Sequence, residues 1–243
     1  MGRKTKRRKD KSLETEERQI VREFISQLEG RVAVYIDAAN LEKSVKELGL
    51  TPPSFKKGMR WRASAKRWTV DYLKLKRFFA KNSDLRGISF YSARFGTPDH
   101  DAFLTFLKNN GYRPVTKEIK TIPEYKATIS RKCKYCGMRN EVSIKFRCVK
   151  CQKDNDVPIE RKADFDVEIS VDAVDWINNY DTLVLFSGDS DFVYLTKYLK
   201  RRGKQIVVLS RRGHVADELR KSKDVDYYQD IFKLRKEFLK FNP

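Results

Sequence analysis

The sequence has no long hydrophobic run, and it is poor in both cysteine and histidine. No stretch approaches the roughly 20 apolar residues that cross a bilayer, which excludes a conventional membrane helix. The start, MGRKTKRRKDK, is basic but is not followed by the apolar core of a secretory signal. Only four cysteines occur, all within nineteen residues, whereas a disulfide-stapled secreted protein spreads them to join distant segments. Internal repeats are absent. No basic helix with a strongly apolar opposite face is evident, which argues against a membrane-surface role. Together these absences lead us to expect a cytoplasmic protein in a reducing compartment. His100 and His214 are the only histidines. The chemistry developed below needs neither as a general base, and both are read as facing solvent or capping loops.

What is present is charge. Lys and Arg number 53 against 33 Asp and Glu, a formal net charge of +20. A polyanion is the simplest partner for such an excess, because each neutralised phosphate releases condensed counterions. A general surface bias would account for the number but not for the acidic motifs that accompany it. The 243 residues, 40% hydrophobic, suffice for one α/β domain and a small module.

Residues 1–11 hold seven basic residues and read as a disordered tail. Ser12 to Leu28 shows helical apolar spacing, closed by Gly30. Val32–Ile36 is a short β-branched run, hence a buried strand, followed by a helix from Asn40 to Leu48. Residues 50–68, with two prolines and six basic residues, read as a loop or lid. Its tryptophans Trp61 and Trp68 are either a binding surface or core pins. Thr69 or Asp71 caps a helix through Phe79. Further strands are expected at Gly87–Phe95, Arg113–Ile119, Thr182–Phe186 and Gln205–Leu209. Helices are expected at Asp99–Asn110, Asp164–Asn178 and Asp191–Lys200, then around 214–222 and 230–240. In the 164–178 helix, Val167, Val171, Val174 and Ile177 carry the helical period. Alternation of strands and helices predicts a mostly parallel sheet sandwiched by helices, with its site at the carboxyl ends of the strands.

Acidic motifs stand at two of those ends. VAVYIDAAN puts Asp37 at the edge of the first strand with Asn40 three residues on, and TLVLFSGDSDF puts Asp189 and Asp191 at the edge of the fourth. KADFDVEISVD supplies Asp166 and Asp172, six apart and so not on one helix face. Any single Asp after a strand is explained by helix capping. Three segments bringing acids to one edge are better explained by a divalent cation, which removes their mutual repulsion; an oxygen-only donor set suits Mg²⁺ or Mn²⁺.

In order and spacing, IDAANL, DVEISVD and SGDSDF resemble the NYN domain family, the LabA-like branch of PIN-type nucleases, over roughly residues 31–120 and 160–232. The resemblance implies a PIN-like α/β/α fold and a metal-dependent endoribonuclease. It implies Asp37, Asp166, Asp189 and Asp191 as Mg²⁺- or Mn²⁺-binding carboxylates, Asn40 as an auxiliary polar group and Asp172 as a further acid. The implied reaction is phosphodiester hydrolysis by cation-activated water. Two departures bear on substrate positioning: KADF replaces a glycine-containing KGV, and the place near Ala216 is apolar where the family has serine.

Cys133-Lys-Tyr-Cys136 and Cys148-Val-Lys-Cys151 form two C-x2-C knuckles, the pattern of a structural zinc ribbon over residues 121–159 inserted between 12–120 and 160–243. Iron on the same thiolates is the competing metal. Arg131, Lys132, Lys134, Arg139, Lys145, Arg147 and Lys150, with Tyr135 and Phe146, form either a solvated basic face or a clamp for single-stranded RNA. RNA is the expected partner ahead of DNA, no membrane is expected, and a homodimer is left open. The alternative function is a non-catalytic RNA-binding module on the same fold. A haloacid-dehalogenase-type phosphatase lacks its Asp-x-Asp here, and a Toprim-type site lacks its Glu.

Overall fold

Arg31–Asp37 (β1) is apolar on both sides, and its five central residues are all buried, as a strand covered on two faces requires. The computed structural model describes residues 15–46, 67–118, 128–143, 146–147, 150, 154–155 and 163–242. Two compact units divide them: Met1–Ser92 with Gly96–Thr116 and Phe165–Pro243, and Ala93–Phe95 with Lys117–Asp164. In chain order the elements begin with α1 (15–26), β1 and α2 (Ala38–Lys46). There follow β2 (Arg67–Val70), α3 (Tyr72–Asn82), β3 (Asp84–Arg94), α4 (Pro98–Asn109) and β4 (Arg113–Glu118). The second unit carries β5 (Thr128–Lys132), β6 (Arg139–Ser143), β7 (Phe146–Arg147) and β8 (Asp154–Asn155). The chain then continues through α5 (Asp166–Asp175), β9 (Thr182–Phe186), α6 (Val193–Arg201), β10 (Gln205–Ser210), α7 (Asp217–Arg220), β11 (Tyr227–Asp230), α8 (Arg235–Phe238) and β12 (Leu239–Asn242).

Six strands form one sheet in the order β11-β10-β9-β1-β3-β4. β1 is parallel to β3 and β9, and β10 is parallel to β9 and β11. The chain builds outward from β1 through β3 to β4, then returns to β9 on the other flank and builds outward through β10 to β11. Strand order therefore reverses between β1 and β9, which opens a crevice at their carboxyl ends.

At their opposite ends these two strands are joined by an ion pair in keeping with their register. Arg31 donates through Nε and Nη2 to the two carboxylate oxygens of Asp181, at 2.9 and 2.8 Å, and its backbone N–H donates to the same side chain. These hydrogen bonds hold the Asp181 carboxyl well below the usual carboxylate range. Pairing then runs from Val32 with Thr182 to Ile36 with Phe186.

Strand alternation sends Val32, Val34, Ile36, Val184, Phe186, Val207 and Leu209 to one face, into a core shared with α1, α2, α3 and α8. The centre of that core is aromatic. Phe238 stacks on Phe79 at 5.7 Å between centroids and meets Phe24, Phe78 and Phe186 edge-on. On the opposite face α5 is seated by tyrosine hydroxyls: Tyr35 donates to the Asp172 carbonyl and Tyr180 to the Ala173 carbonyl.

Two expectations of element change, and the seating of one helix is decided. Val167, Val171 and Val174, which carry the helical period of α5, are 72, 59 and 38% exposed; Ile169 and Ala173, with Phe165 at the N-cap, are buried instead. Both faces of this helix carry apolar residues at helical spacing; the one used is the one that offers Asp172 to the tyrosines. A sixth strand, β11, lies beyond the expected five. The expected helix at 230–240 is a short 3₁₀ turn and α8, after which β12 pairs antiparallel with β2. There Trp68 meets Phe241 at 4.9 Å and packs against the core, so it acts as a pin rather than a lid residue. The tail 1–11, Trp61 and most of the 50–68 segment lie outside the described residues. Among the described residues no helix is long and apolar enough to cross a membrane.

Phe238→Ala removes the hub of the ring cluster. It is expected to cost about 3–5 kcal/mol, read as a lower urea midpoint with an unchanged slope.

Candidate active site at the β1–β9 crevice

Asp37 ends β1, and α2 begins at the next residue, so its carboxylate is the N-cap of α2. Oδ1 accepts from the Asn40 backbone N–H at 3.1 Å. Asp37 continues the alternation of Ala33 and Tyr35, which directs its side chain to the α5 side of the sheet. One step past the last β1–β9 pair it stands level with Ser187, whose hydroxyl donates to Asp37 Oδ2 at 3.3 Å. The same Ser187 oxygen accepts from the Asp189 backbone N–H at 3.3 Å. Asn40 closes the ring from α2, its Oδ1 accepting from the Gly188 N–H at 3.1 Å. Asp189 in turn caps a 3₁₀ turn, accepting from the Asp191 N–H at 3.2 Å.

Each of the two caps uses one carboxylate oxygen and leaves its partner to other work. For Asp37 that second oxygen takes the long Ser187 contact. Burial pushes the Asp37 carboxyl above its usual range; the Asn40 and Ala39 N–H groups and the Ser187 hydroxyl pull it down, and the Asp189 charge pushes it up again. Asp37 and Asp189 are therefore electrostatic neighbours.

Gly188 fixes the far wall. A β-carbon there would fall 2.3 Å from the His214 carbonyl oxygen, 2.6 Å from Ser210 Oγ and 2.8 Å from Val215 Cα, so only glycine fits. The Gly188 carbonyl also accepts from the Ala216 N–H at 2.8 Å. The loop after β10 thus holds the SGD turn by backbone alone, at the place where the expected serine is missing. His214 contributes its carbonyl at this contact.

Asp37, Asn40, Asp189 and Asp191 are gathered around Ser187 and Gly188, with Asp191 exposed at the outer end. Asp166 lies in the first turn of α5, half-buried. The preceding residue, Phe165, packs against Tyr91, which pairs with Asp37 in the sheet. Asp172 is not drawn into this group: its Oδ2 accepts from the Tyr91 hydroxyl at 2.8 Å and from Arg113 Nη2. That bond and burial raise the Tyr91 hydroxyl far above its ordinary range. Among the described residues no three His, Cys, Asp or Glu side chains stand close enough to enclose an ion. Ser187, Gly188, Tyr91 and Arg113 went unforeseen. For Ser187 the signal was available, since strand alternation puts it on the Asp37 side of the sheet.

In the second unit β5 and β6 form an antiparallel hairpin from Thr128 with Ser143 to Lys132 with Arg139. Its tip is the first cysteine knuckle. The Cys133 N–H donates to the Met138 carbonyl at 2.7 Å and the Gly137 N–H to the Cys133 carbonyl at 2.9 Å. Gly137 has φ +73°, which a β-carbon would strain. Backbone N–H groups of Cys136 and Tyr135, with the Cys136 thiol, lower the Cys133 thiol below its usual range. Cys148 and Cys151 lie outside the described residues.

Asp37→Asn tests the electrostatics. A carboxyl raised by folding stabilises the fold below its unfolded-state pKa and loses that contribution as pH rises through the folded value. The neutral variant is therefore expected to melt above the wild type at pH 7 in metal-free buffer. The gap should close once the pH falls below the ordinary carboxylate range; equal melting temperatures at pH 7 would contradict a buried, charge-straining Asp37.

Comparison with known proteins bears on the fold and the family. A stretch of 75 residues, 31% of the chain, is 37% identical to the low amplitude and bright protein LabA of Synechococcus elongatus, and it spans 39% of that protein's length. The fold is shared with a crystal structure of a protein of unknown function from Vibrio parahaemolyticus, with a TM-score of 0.54 at 18% identity over 88% of this chain and 98% of that one. Residues 31–231, from the start of β1 to just past β11, match the NYN domain, and the chain belongs to that family.

Proposed function

We propose that this protein is a metal-dependent endoribonuclease whose site is the β1–β9 crevice. The observation that carries the reading is the Asp37 carboxylate, half-buried, raised by its surroundings and set beside Asp189 at the point where strand order reverses. Membership of the NYN family, PIN-like proteins of ribonuclease type, supports it. The net charge of +20 supports a polyanionic substrate.

The donor set fits a hard cation. Mg²⁺ keeps several waters and is held by one or two protein carboxylates together with substrate phosphates, so two acids in reach of each other suffice as its protein anchor. Asp37 and Asp189 would be that anchor; Asp191, at the outer end, and Asp166, in the first turn of α5, are the further acids that the family resemblance implies. When bound, Mg²⁺ or Mn²⁺ supplies activated water and screens the charge that develops on phosphate. The chain's own part is positional. Asn40 ties α2 to the SGD turn, Ser187 orients Asp37 Oδ2 and the Asp189 backbone together, and Gly188 lets the loop after β10 close against both. Asp172 holds α5, and with it Asp166, against the sheet through Tyr91 and Arg113.

The test is cleavage of a labelled RNA by the purified full chain with Mn²⁺ or Mg²⁺. Internal cuts are expected that vanish on chelation and in Asp189→Asn, with Asn40→Ala slower by about 10- to 100-fold, the usual cost of losing a group that orients metal ligands. Single-stranded DNA of the same sequence is expected to be cut more slowly. RNA that is bound and left intact under all conditions would replace this reading with a non-catalytic RNA-binding module.

The second unit is proposed to be a structural zinc ribbon held by Cys133, Cys136, Cys148 and Cys151, adding RNA-binding surface. The N–H groups around the Cys133 sulfur favour thiolate, the form zinc takes. Metal analysis is expected to find one zinc per chain, lost in Cys133→Ser; iron or no metal would overturn this.

A further inference from the structure

The hairpin tip of the second unit presents an aromatic ring almost wholly to water. Tyr135 is 90% exposed and Met138 67% exposed. Both lend only their backbone to the cysteine knuckle, the Met138 carbonyl accepting from Cys133 and the Tyr135 N–H facing its sulfur, so their side chains are left over. Among the described residues of the tip, Lys132, Lys134 and Arg139 are exposed, and the sequence has no acid between Lys132 and Arg139. Lys134 Nζ sits 5.7 Å from the Tyr135 ring centroid. Lys132 and Arg139 are direct partners across the hairpin, and like charges so placed repel.

Two features of the tip call for a ligand: like charges paired across the hairpin and an aromatic ring held in solvent. Zinc-bound thiolates would offset the first but not the second. An anion that also carries a flat apolar face offsets both. We infer that the hairpin tip formed by Tyr135, Met138, Lys132, Lys134 and Arg139 is a stacking platform for single-stranded nucleic acid, with a base laid on the Tyr135 ring and the flanking phosphates on the three cations. Every base has a π-face, so the platform is sequence-tolerant. The inference rests on the nucleic-acid part of the proposed function but not on catalysis.

The experiment measures binding of a fluorescent single-stranded RNA 12-mer, about the length that basic stacking grooves cover, to the full chain without added Mg²⁺ or Mn²⁺. Tyr135→Ala is expected to weaken binding about ten-fold or more, while Tyr135→Phe, which keeps the ring, stays close to wild type. The salt dependence of Tyr135→Ala should match wild type, whereas Lys132→Ala should lose about 0.7 of slope, one phosphate contact on a single strand. Zinc content is measured on each variant, so that loss of the ribbon is not read as loss of stacking. Wild-type affinity in Tyr135→Ala with zinc retained would overturn the platform and leave the nuclease reading standing. A ten-fold loss in a protein that never cleaves RNA would support the platform and sink the nuclease reading. No RNA binding by the wild type, or tip-dependent binding to phosphatidylserine vesicles instead, would overturn it.

Discussion

The parallel register of β1 against β9 is the constraint on which the rest of the molecule depends. These strands lie 150 residues apart in sequence, and a charge-assisted fork from Arg31 to Asp181 ties their amino ends together. Six residues further on, the same alignment brings Asp37 level with Ser187. Because strand side chains alternate, a one-residue slip would turn Asp37 toward the aromatic core and replace the Ser187 contact with Phe186. The core itself opposes such a slip, since Val34, Ile36, Val184 and Phe186 would leave their cluster together.

Capping and charge convergence are often taken as rival explanations for an acid after a strand. Here they share the same side chains. Asp37 caps α2 and Asp189 caps the following 3₁₀ turn, each with a single oxygen, which fixes the direction of the other. A cap is thus a means of aiming a carboxylate. The cost appears at Asp37, where burial and the neighbouring Asp189 disfavour the charged form despite three hydrogen-bond donors. The opposite face of the sheet carries no such conflict; it is a stack of phenylalanine rings.

Much of the fold could be read from the chain. Short β-branched runs marked β1, β9 and β10, and Gly30, with φ +60°, marked the end of the first helical segment. The failures share a cause. β11 (YYQD) and β12 (LKFN) are strands because a neighbour's edge is open beside them, not because their residues demand it. Valine spacing in α5 indicates that an apolar stripe exists but not which stripe meets the sheet. The stripe of Ile169 and Ala173 meets it, with Tyr35 on the Asp172 carbonyl and Tyr91 on its carboxylate. For Trp68 the sequence left a binding surface and a core pin open, and pairing of β2 with β12 decided for the pin.

For the candidate site, sequence alone determined the residue types and their places: Asp37, Asp189 and Asp191 follow apolar strands, and an acid at the carboxyl end of a parallel strand lies at the sheet's open edge whatever the loops do. Sequence also determined the cysteine spacing of the second unit and the excess of positive charge. Only tertiary structure decided which acids are neighbours. It joined Asp37 to Asp189 through Ser187, gave Asn40 to Gly188, and withdrew Asp172 to Tyr91 and Arg113. The physical reason is that local spacing governs which face a side chain leaves from, whereas the meeting of two side chains depends on strand register and helix seating, which hydrogen bonds and packing between distant segments establish.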